Sequence, residues 1–405
     1  MQVDTKKSIF CALAFNAVSW SSDGKPNPCC GTRNFIPPSY KTGSKLSDRI
    51  NDPVMQSLRR ELIEGKYPEV CGLCEEEDTN NRVSMRSIWN EYYKERIGDI
   101  ENFTEVVDPK DIFSMDINIG NKCNSKCMTC VPASSDLWLE EAEYIFNTRI
   151  KVNTNFLMNN NSNVDEILET FPNLRKITFV GGEPTISDKV DYLLQRLIDT
   201  GRSKTTRLSY TTNLTGITYD MLKVWESFEA VGLGVSIDGF GKTNEYIRYP
   251  FKWNKIDTNL TECLSRANGK TFGLALGLTA SLFNCIETHT LLEYWYNKIK
   301  DVPFTCGVMI QKATSPNYVD MRILSNVYRE RGIEPLQVLR RKIPDDERFH
   351  SLLSAIDSMI SYLKEPAFND KKLKQHSLNF VRMSDKFRNR DIRSYLPDLF
   401  LELAS

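Results

Sequence analysis

"GNKCNSKCMTCVP", residues 120–132, puts Cys123, Cys127 and Cys130 within eight positions. The stretch just before it, "FSMDINIG" (113–120), alternates apolar and polar residues as a strand does. A cysteine loop at the end of a strand points to a parallel α/β architecture, because such sheets bind their ligands beyond the C-terminal ends of the strands.

Five more segments read as strands: "RKITFVGG" (175–182), "TRLSYTTN" (206–213), "VGLGVSIDG" (231–239), "FGLALGLTAS" (272–281) and "PFTCGVMIQ" (303–311). Helices lie between them. The one after the second strand starts at Ser187 as N-cap, carries Val190, Leu193, Leu194, Leu197 and Ile198 at helical spacing, and stops at Gly201. Strands alternating with helices imply parallel βαβ units. Before about residue 110 the chain reads as turn-rich, with little apolar material and one good helix from about Asp52 to Glu64. After about residue 325 it reads as helical, with a helix starting at Pro344 and Asp345 and a stripe from Phe349 to Leu363.

The strands carry a second pattern. Met115, Ile117 and Ile119 alternate with Asp116 and Asn118, and Leu233, Val235 and Ile237 alternate with Gly234, Ser236 and Asp238. The fifth strand repeats this, setting Phe272, Leu274, Leu276 and Leu278 against Gly273, Ala275, Gly277 and Thr279. Successive side chains point to opposite faces, so the apolar set packs under helices while the small and polar set lines a space. A closed barrel core would be filled with bulky branched residues. The expectation is an open, wet interior that holds a ligand, with Asp116, Asn118 and Gln311 facing it.

Composition bounds the partners. The 405 residues are 40% hydrophobic and 26% charged, enough for a full core and two or three domains. With 52 basic and 53 acidic residues the net charge is −1, so no bulk field favours nucleic acid or an anionic membrane. No stretch reaches the roughly 18 apolar residues of a membrane span, and the N-terminus lacks a signal pattern. The expected location is the cytoplasm. Eleven cysteines there are reduced rather than paired. Cys263, Cys285 and Cys306 sit in apolar or periodic segments, as small buried hydrophobes do.

The remaining cysteines are candidate metal ligands. Zinc wants four protein ligands, or three plus water, usually with His, and none of the three histidines is near the loop. Three thiolates suit a 4Fe-4S cluster with one iron left open for a small molecule. Spacing favours the cluster and leaves zinc as the competitor.

With these residues assembled, the chain resembles the radical S-adenosylmethionine (SAM) enzymes. "CNSKCMTC" is similar to their cluster motif, and "TFVGGEPTIS" to the glycine-rich segment that meets the SAM amino group. The resemblance implies cofactor contacts at Gly181, Gly182, Glu183 and Pro184. "GVSIDG" with "NEYIRY" resembles the fourth-strand region, implying Ser236 and Asp238 near the ribose and Arg248 near the carboxylate of SAM. "TASLFN" resembles the fifth-strand region and implies Asn284 at the nucleoside. Thr129 departs from the aromatic residue often found before the third cysteine. Plainer readings compete: a simple turn at "GGEP", a strand end and helix cap at Ser236 and Asp238, and an ordinary ion pair at Arg248.

The N-terminal cysteines resemble the twitch module, a shortened SPASM domain that holds an auxiliary 4Fe-4S cluster. Cys11, "DGKPNPCC" and "CGLC" imply Cys11, Cys29, Cys71 and Cys74 as ligands, with Cys29 favoured over Cys30 by its distance from Gly24. A zinc knuckle is the competitor here. In better-known members this module follows the barrel, whereas here it precedes it, an order that closely spaced domain termini tolerate.

The expected fold is α/β: a twitch-like module over 1–110, a partial (β/α)6 barrel over 111–312 and a helical region over 313–405. Two 4Fe-4S clusters and SAM are the implied cofactors, with Cys123, Cys127, Cys130 and Asp116 catalytic and a flavodoxin or ferredoxin as electron donor. Reductive cleavage of SAM to a 5'-deoxyadenosyl radical and hydrogen abstraction from substrate is the implied chemistry. Three classes stay open: oxidative modification of a peptide or protein residue, a small-molecule dehydrogenase or carbon-skeleton enzyme, and a non-catalytic iron-sulfur or zinc scaffold.

Overall fold

The computed structural model describes residues 9–32, 44–80, 83–94, 103–152 and 157–405. Eight strands, β1 (Ala17–Trp20), β2 (Pro26–Asn27), β3 (Ser114–Asn118), β4 (Lys176–Val180), β5 (Arg207–Thr212), β6 (Ala230–Ser236), β7 (Phe272–Ala280) and β8 (Gly307–Lys312), form one sheet. Their order is β2-β1-β3-β4-β5-β6-β7-β8, and every pair is parallel except β1 with β2. The six segments read as strands are β3 to β8, in the same order along the chain. Among the described residues no helix is long and apolar enough to cross a membrane.

The alternation in sequence separates the two faces. Met115, Ile117, Ile177, Phe179, Leu233 and Val235 are buried on the helix-covered face. On the other face Ser19, Asp116, Thr178, Ser209, Gly232 and Gly273 lie in register across six strands. Small and polar side chains in that row leave space above the sheet. The helix Asp188–Asp199 shows how the covered face is held: Ser187 Oγ accepts from Val190 N, and Val190, Leu193, Leu194 and Leu197 are buried. Each such side chain contributes about 1.5–3 kcal/mol by leaving water.

Two expectations change. The one good helix expected before residue 110 is Pro53–Ile63, but the same region also supplies β1 and β2 to the main sheet, together with helices Ala12–Asn16, Gly72–Thr79 and Met85–Tyr93. Its core is larger than its composition suggests, with Phe10, Phe15, Trp20, Leu58 and Tyr93 buried. Buried Arg59 joins it, donating to the carbonyls of Ala14 and Glu105. In the C-terminal region the helix begins at His350, not Pro344, because the Asp346 carboxylate accepts from Arg348 N and caps a 3-10 turn, Glu347–Phe349, first. That helix then packs its buried stripe against β8.

Candidate active site

The cysteine loop leaves β3 through a glycine turn, in which Asn118 Oδ1 accepts from Gly120 N at 3.1 Å and Gly120 has φ +109°. Its backbone is then pinned from two sides. Lys126 N donates to Tyr249 O (2.9 Å) and Met128 N to Ile247 O (2.8 Å), while Trp138 Nε1 donates to Cys127 O (2.8 Å). The loop is therefore fixed by the segment after β6 and by the helix Trp138–Phe146.

All three thiols are half-buried on this loop. Burial pushes Cys123 and Cys130 up to about 12, with neighbouring Cys127 adding to both. A cation reverses that preference, since a bound metal deprotonates its thiol ligands. Cys127 Sγ lies 3.1 Å from Ser125 Oγ and 3.8 Å from Arg248 Nη1.

The glycine pair lies against this loop. Gly182 N donates to Gly120 O and Glu183 N to Lys122 O, each at 2.9 Å. A Cβ on Gly182 would stand 2.2 Å from Lys122 O, and one on Gly181, at φ +87°, would stand 2.2 Å from Asn118 Oδ1. Glycine is required at both positions for the two loops to meet. Gly182→Ala is expected to push the loops apart, costing about 1–3 kcal/mol of stability as overpacking does, with a lower denaturation midpoint as the readout.

Glu183 is 2% exposed. Its Oε1 accepts from Thr185 N (3.1 Å), Thr185 Oγ1 (2.6 Å) and Thr212 Oγ1 (2.6 Å), and its Oε2 from Asn213 N (2.7 Å). Four donors use nearly all the capacity of a carboxylate, so this side chain ties the end of β4 to the end of β5. Pro184 opens the 3-10 turn Pro184–Ile186 that follows.

At the end of β6, Ser236 is half-buried on the row that includes Gly277. Asp238 is fully buried, and its Oδ1 accepts from Thr279 N (2.8 Å). Arg248 Nε stands 2.8 Å from Asp238 Oδ2 as an ion pair without hydrogen-bond alignment. Burial opposes the Arg248 charge, yet Asp238 and Cys127 together raise its pKa above the ordinary value. Asn284, also buried, donates to the carbonyls of Asp238 and Thr279 and accepts from Ser281 N, each at 2.8 Å. Asp238, Arg248 and Asn284 thus come together in one web between the loops after β6 and β7, with Arg248 reaching the cysteine loop.

The second cysteine group lies at the other end of the strands. Cys11 precedes the helix that leads into β1, and Cys29 follows β2, which runs antiparallel to β1. Cys71 and Cys74 begin the helix Gly72–Thr79. All four line one cavity with Met85 and Arg86, which Cys30 does not line. Burial pushes Cys11 to about 11 and Cys71 to about 12, and Cys29 higher still, each raised further by a neighbouring thiol. Four soft thiol donors in an apolar cavity fit an iron-sulfur cluster or zinc by their chemistry. Among the described residues no three Cys, His, Asp or Glu groups are arranged to hold a single metal ion. In a cluster each thiolate meets its own iron, so the donor set fits without such convergence.

Between the two cysteine groups a cavity of about 220 Å³ opens on the inner row, lined by Asp116, Thr178, Ser209, Cys30, Lys176 and Trp89. Burial raises the Asp116 pKa, against the lowering effects of Thr178, Lys176 and Cys30. Asn118 is half-buried next to the glycine turn, while Gln311 is exposed away from this cavity. Thr178 and Ser209 are legible from the same alternation that exposes Asp116. Trp89 and Trp138 are not, since each reaches the site from a separate helix.

Comparison of the sequence with curated proteins finds no match. Among solved structures, this chain is similar to polyhistidine-tagged anSMEcpe with bound AdoMet, at 18% identity over 57% of this chain and 59% of that one, with TM-score 0.39. It is also similar to Streptococcus suis SuiB bound to precursor peptide SuiA, at 12% identity over 76% of this chain and 64% of that one, with TM-score 0.38. The chain thus spans 59% and 64% of the lengths of these two proteins. Residues 117–277, from the end of β3 into β7, match the model of the radical SAM superfamily.

Proposed function

We propose that the protein is a radical SAM enzyme, with a partial barrel that carries out oxidative modification of a peptide or protein residue. The observation that carries this reading is the three-cysteine loop at the end of β3, hydrogen-bonded to a glycine pair where any Cβ would strike the loop. Cys123, Cys127 and Cys130 would hold a 4Fe-4S cluster with one open iron. When bound, that cluster would supply the electron for reductive cleavage of SAM, the chemistry that generates a hydrogen-abstracting radical.

The protein's own residues do the rest by positioning. Arg248, facing Cys127, offsets the negative charge that ligated thiolates gather. Gly181 and Gly182 allow the backbone to approach the cysteine loop, and Glu183 with Pro184 fixes their path. Asp238 and Asn284 hold the loops that carry Arg248, and Ser236 faces the inner row. Asp116, Thr178 and Ser209 offer hydrogen bonds to a polar side chain or backbone amide rather than to a hydrocarbon, which supports a peptide substrate. Asp116, its carboxyl raised by burial, is suited to accept the proton released as the substrate is oxidised.

Cys11, Cys29, Cys71 and Cys74 would close a second cluster completely, leaving it the task of accepting an electron from the substrate radical. Anaerobic reconstitution followed by dithionite reduction tests the whole reading, with 5'-deoxyadenosine as the product to measure. In Cys71→Ala the first cluster and slow SAM cleavage are expected to persist while oxidised product disappears. Wild-type product at the wild-type ratio to deoxyadenosine in that variant would make the second site structural.

A further inference from the structure

The N-terminal ends of the strands carry a second cavity, of about 200 Å³, lined by Arg175, Lys176, Arg207, Tyr92, Phe113 and Glu229 among others. Arg175 immediately precedes β4, Lys176 and Arg207 are the first residues of β4 and β5, and Glu229 precedes β6. Lys176 also lines the 220 Å³ chamber that contains Asp116, so its side chain is the doorway between the two spaces.

Among the described residues the charges at this mouth do not balance. Glu229 is its one lining carboxylate among the described residues, and it already pairs with Arg207 at 2.8 Å. Lys176 Nζ lies 4.0 Å from the Trp89 ring centroid and 6.0 Å from that of Tyr92, with no ion-pair partner among the described residues. Burial lowers its pKa, opposed by Asp116 and Cys30 on the chamber side. A half-buried ammonium seated on aromatic rings, next to a guanidinium, is a favourable counter-charge for an incoming anion.

We propose that this mouth binds an anionic group of the substrate, a carboxylate or a phosphate, and that the remainder of the substrate extends past Lys176 into the chamber. The inference rests on the reading of the chamber as the substrate site. Strand geometry sets the span. Asp116 stands opposite Thr178, two residues beyond Lys176, and Val180 is two further, so at about 3.3 Å per residue these lie about 7 and 13 Å along the strand from Lys176, at the mouth. A substrate of this class carries its anionic group about 13 Å from the carbon that reacts near the cysteine loop, with a polar group midway for Asp116. An acidic side chain or terminal carboxylate of a peptide meets that description, as does a phosphorylated or carboxylated small molecule.

Cys30, exposed in the chamber, is a built-in reporter. The full chain is treated with anionic iodoacetate or neutral iodoacetamide, and modification of Cys30 is followed by fragmentation mass spectrometry. The ratio of the two rates is expected to fall about tenfold in Lys176→Met and in Arg175→Gln, and to hold in the charge-conserving Lys176→Arg. Inorganic phosphate or succinate, added to the wild type, is expected to slow the iodoacetate reaction. Protection by phosphate alone assigns a phosphate, by succinate alone a carboxylate, and by both the shared anion chemistry. A ratio unchanged in Lys176→Met, or equally lost in Lys176→Arg, overturns the proposal, as does protection by neither anion. SAM cleavage is measured separately on the same preparations, so a failure of the radical SAM reading registers there and not in the alkylation ratio.

Discussion

Cys127→Ala is expected to abolish 5'-deoxyadenosine formation outright, and the triple change of Cys123, Cys127 and Cys130 to alanine to remove about half of the iron bound after anaerobic reconstitution. Cys127 is the most interlocked of the three. Its carbonyl accepts from Trp138, and its sulfur faces both Ser125 and Arg248. Without that thiolate two ligands remain, and the Arg248 guanidinium loses one of the charges it sits against. The backbone anchors at Lys126 and Met128 do not depend on the sulfur, so the variant is expected to fold. Iron and sulfide analysis together with chromatography of deoxyadenosine provides the measurement. Wild-type protein that holds its three-cysteine cluster and neither binds nor cleaves SAM would favour the scaffold reading instead.

Arg388→Met is expected to be the most destabilising single change in the C-terminal region, by about 3–5 kcal/mol, the usual effect of removing one partner from a buried ion pair. Arg388 ends the helix Lys371–Arg388 and is 7% exposed, while Glu141 is 0% exposed. Its Nε contacts both Glu141 oxygens, at 2.8 and 3.0 Å, and its Nη2 donates to Lys126 O at 2.9 Å. Lys126 Nζ completes the group, 3.0 Å from Glu141 Oε2. The guanidinium also lies over the rings of Trp138 and Tyr249. One side chain from the end of the protein therefore fastens the cysteine loop, its following helix and the segment after β6. Urea denaturation of the metal-free variant reads the loss, and the double variant with Glu141→Met is expected to recover only part of it, because Lys126 Nζ then loses its own carboxylate partner. A single-variant loss below about 1 kcal/mol would contradict this account.

The strands of the main sheet are legible in the sequence because each face of a strand meets a different environment, which leaves a period of two; Met115 and Asp116 are neighbours with opposite surroundings. The cysteine groups are legible because ligand chemistry tolerates few residue types. What is not legible is what crosses between elements. β1 is too short to show alternation, and only its pairing with β3 identifies it as sheet. Arg388 gives no local signal, since its partner Glu141 lies far away along the chain. The roles implied for Glu183, Asp238 and Asn284 come from motif order alone, and hydrogen bonding within the protein accounts for most of their polar atoms.

The parallel pairing of β1 with β3 also fixes a timetable during synthesis. Ala17 leaves the ribosome long before Ser114, its partner in the sheet, and at ordinary elongation rates the gap is on the order of ten seconds. Throughout that interval Cys11, Cys29, Cys71 and Cys74 emerge without the β3 strand that β1 joins to the rest of the sheet. The cavity that these four thiols share is lined by residues between Cys11 and Arg86, all of them made before β3. That end of the molecule can therefore assemble its thiol cavity ahead of the sheet, and only the joining of β1 to the rest waits on β3.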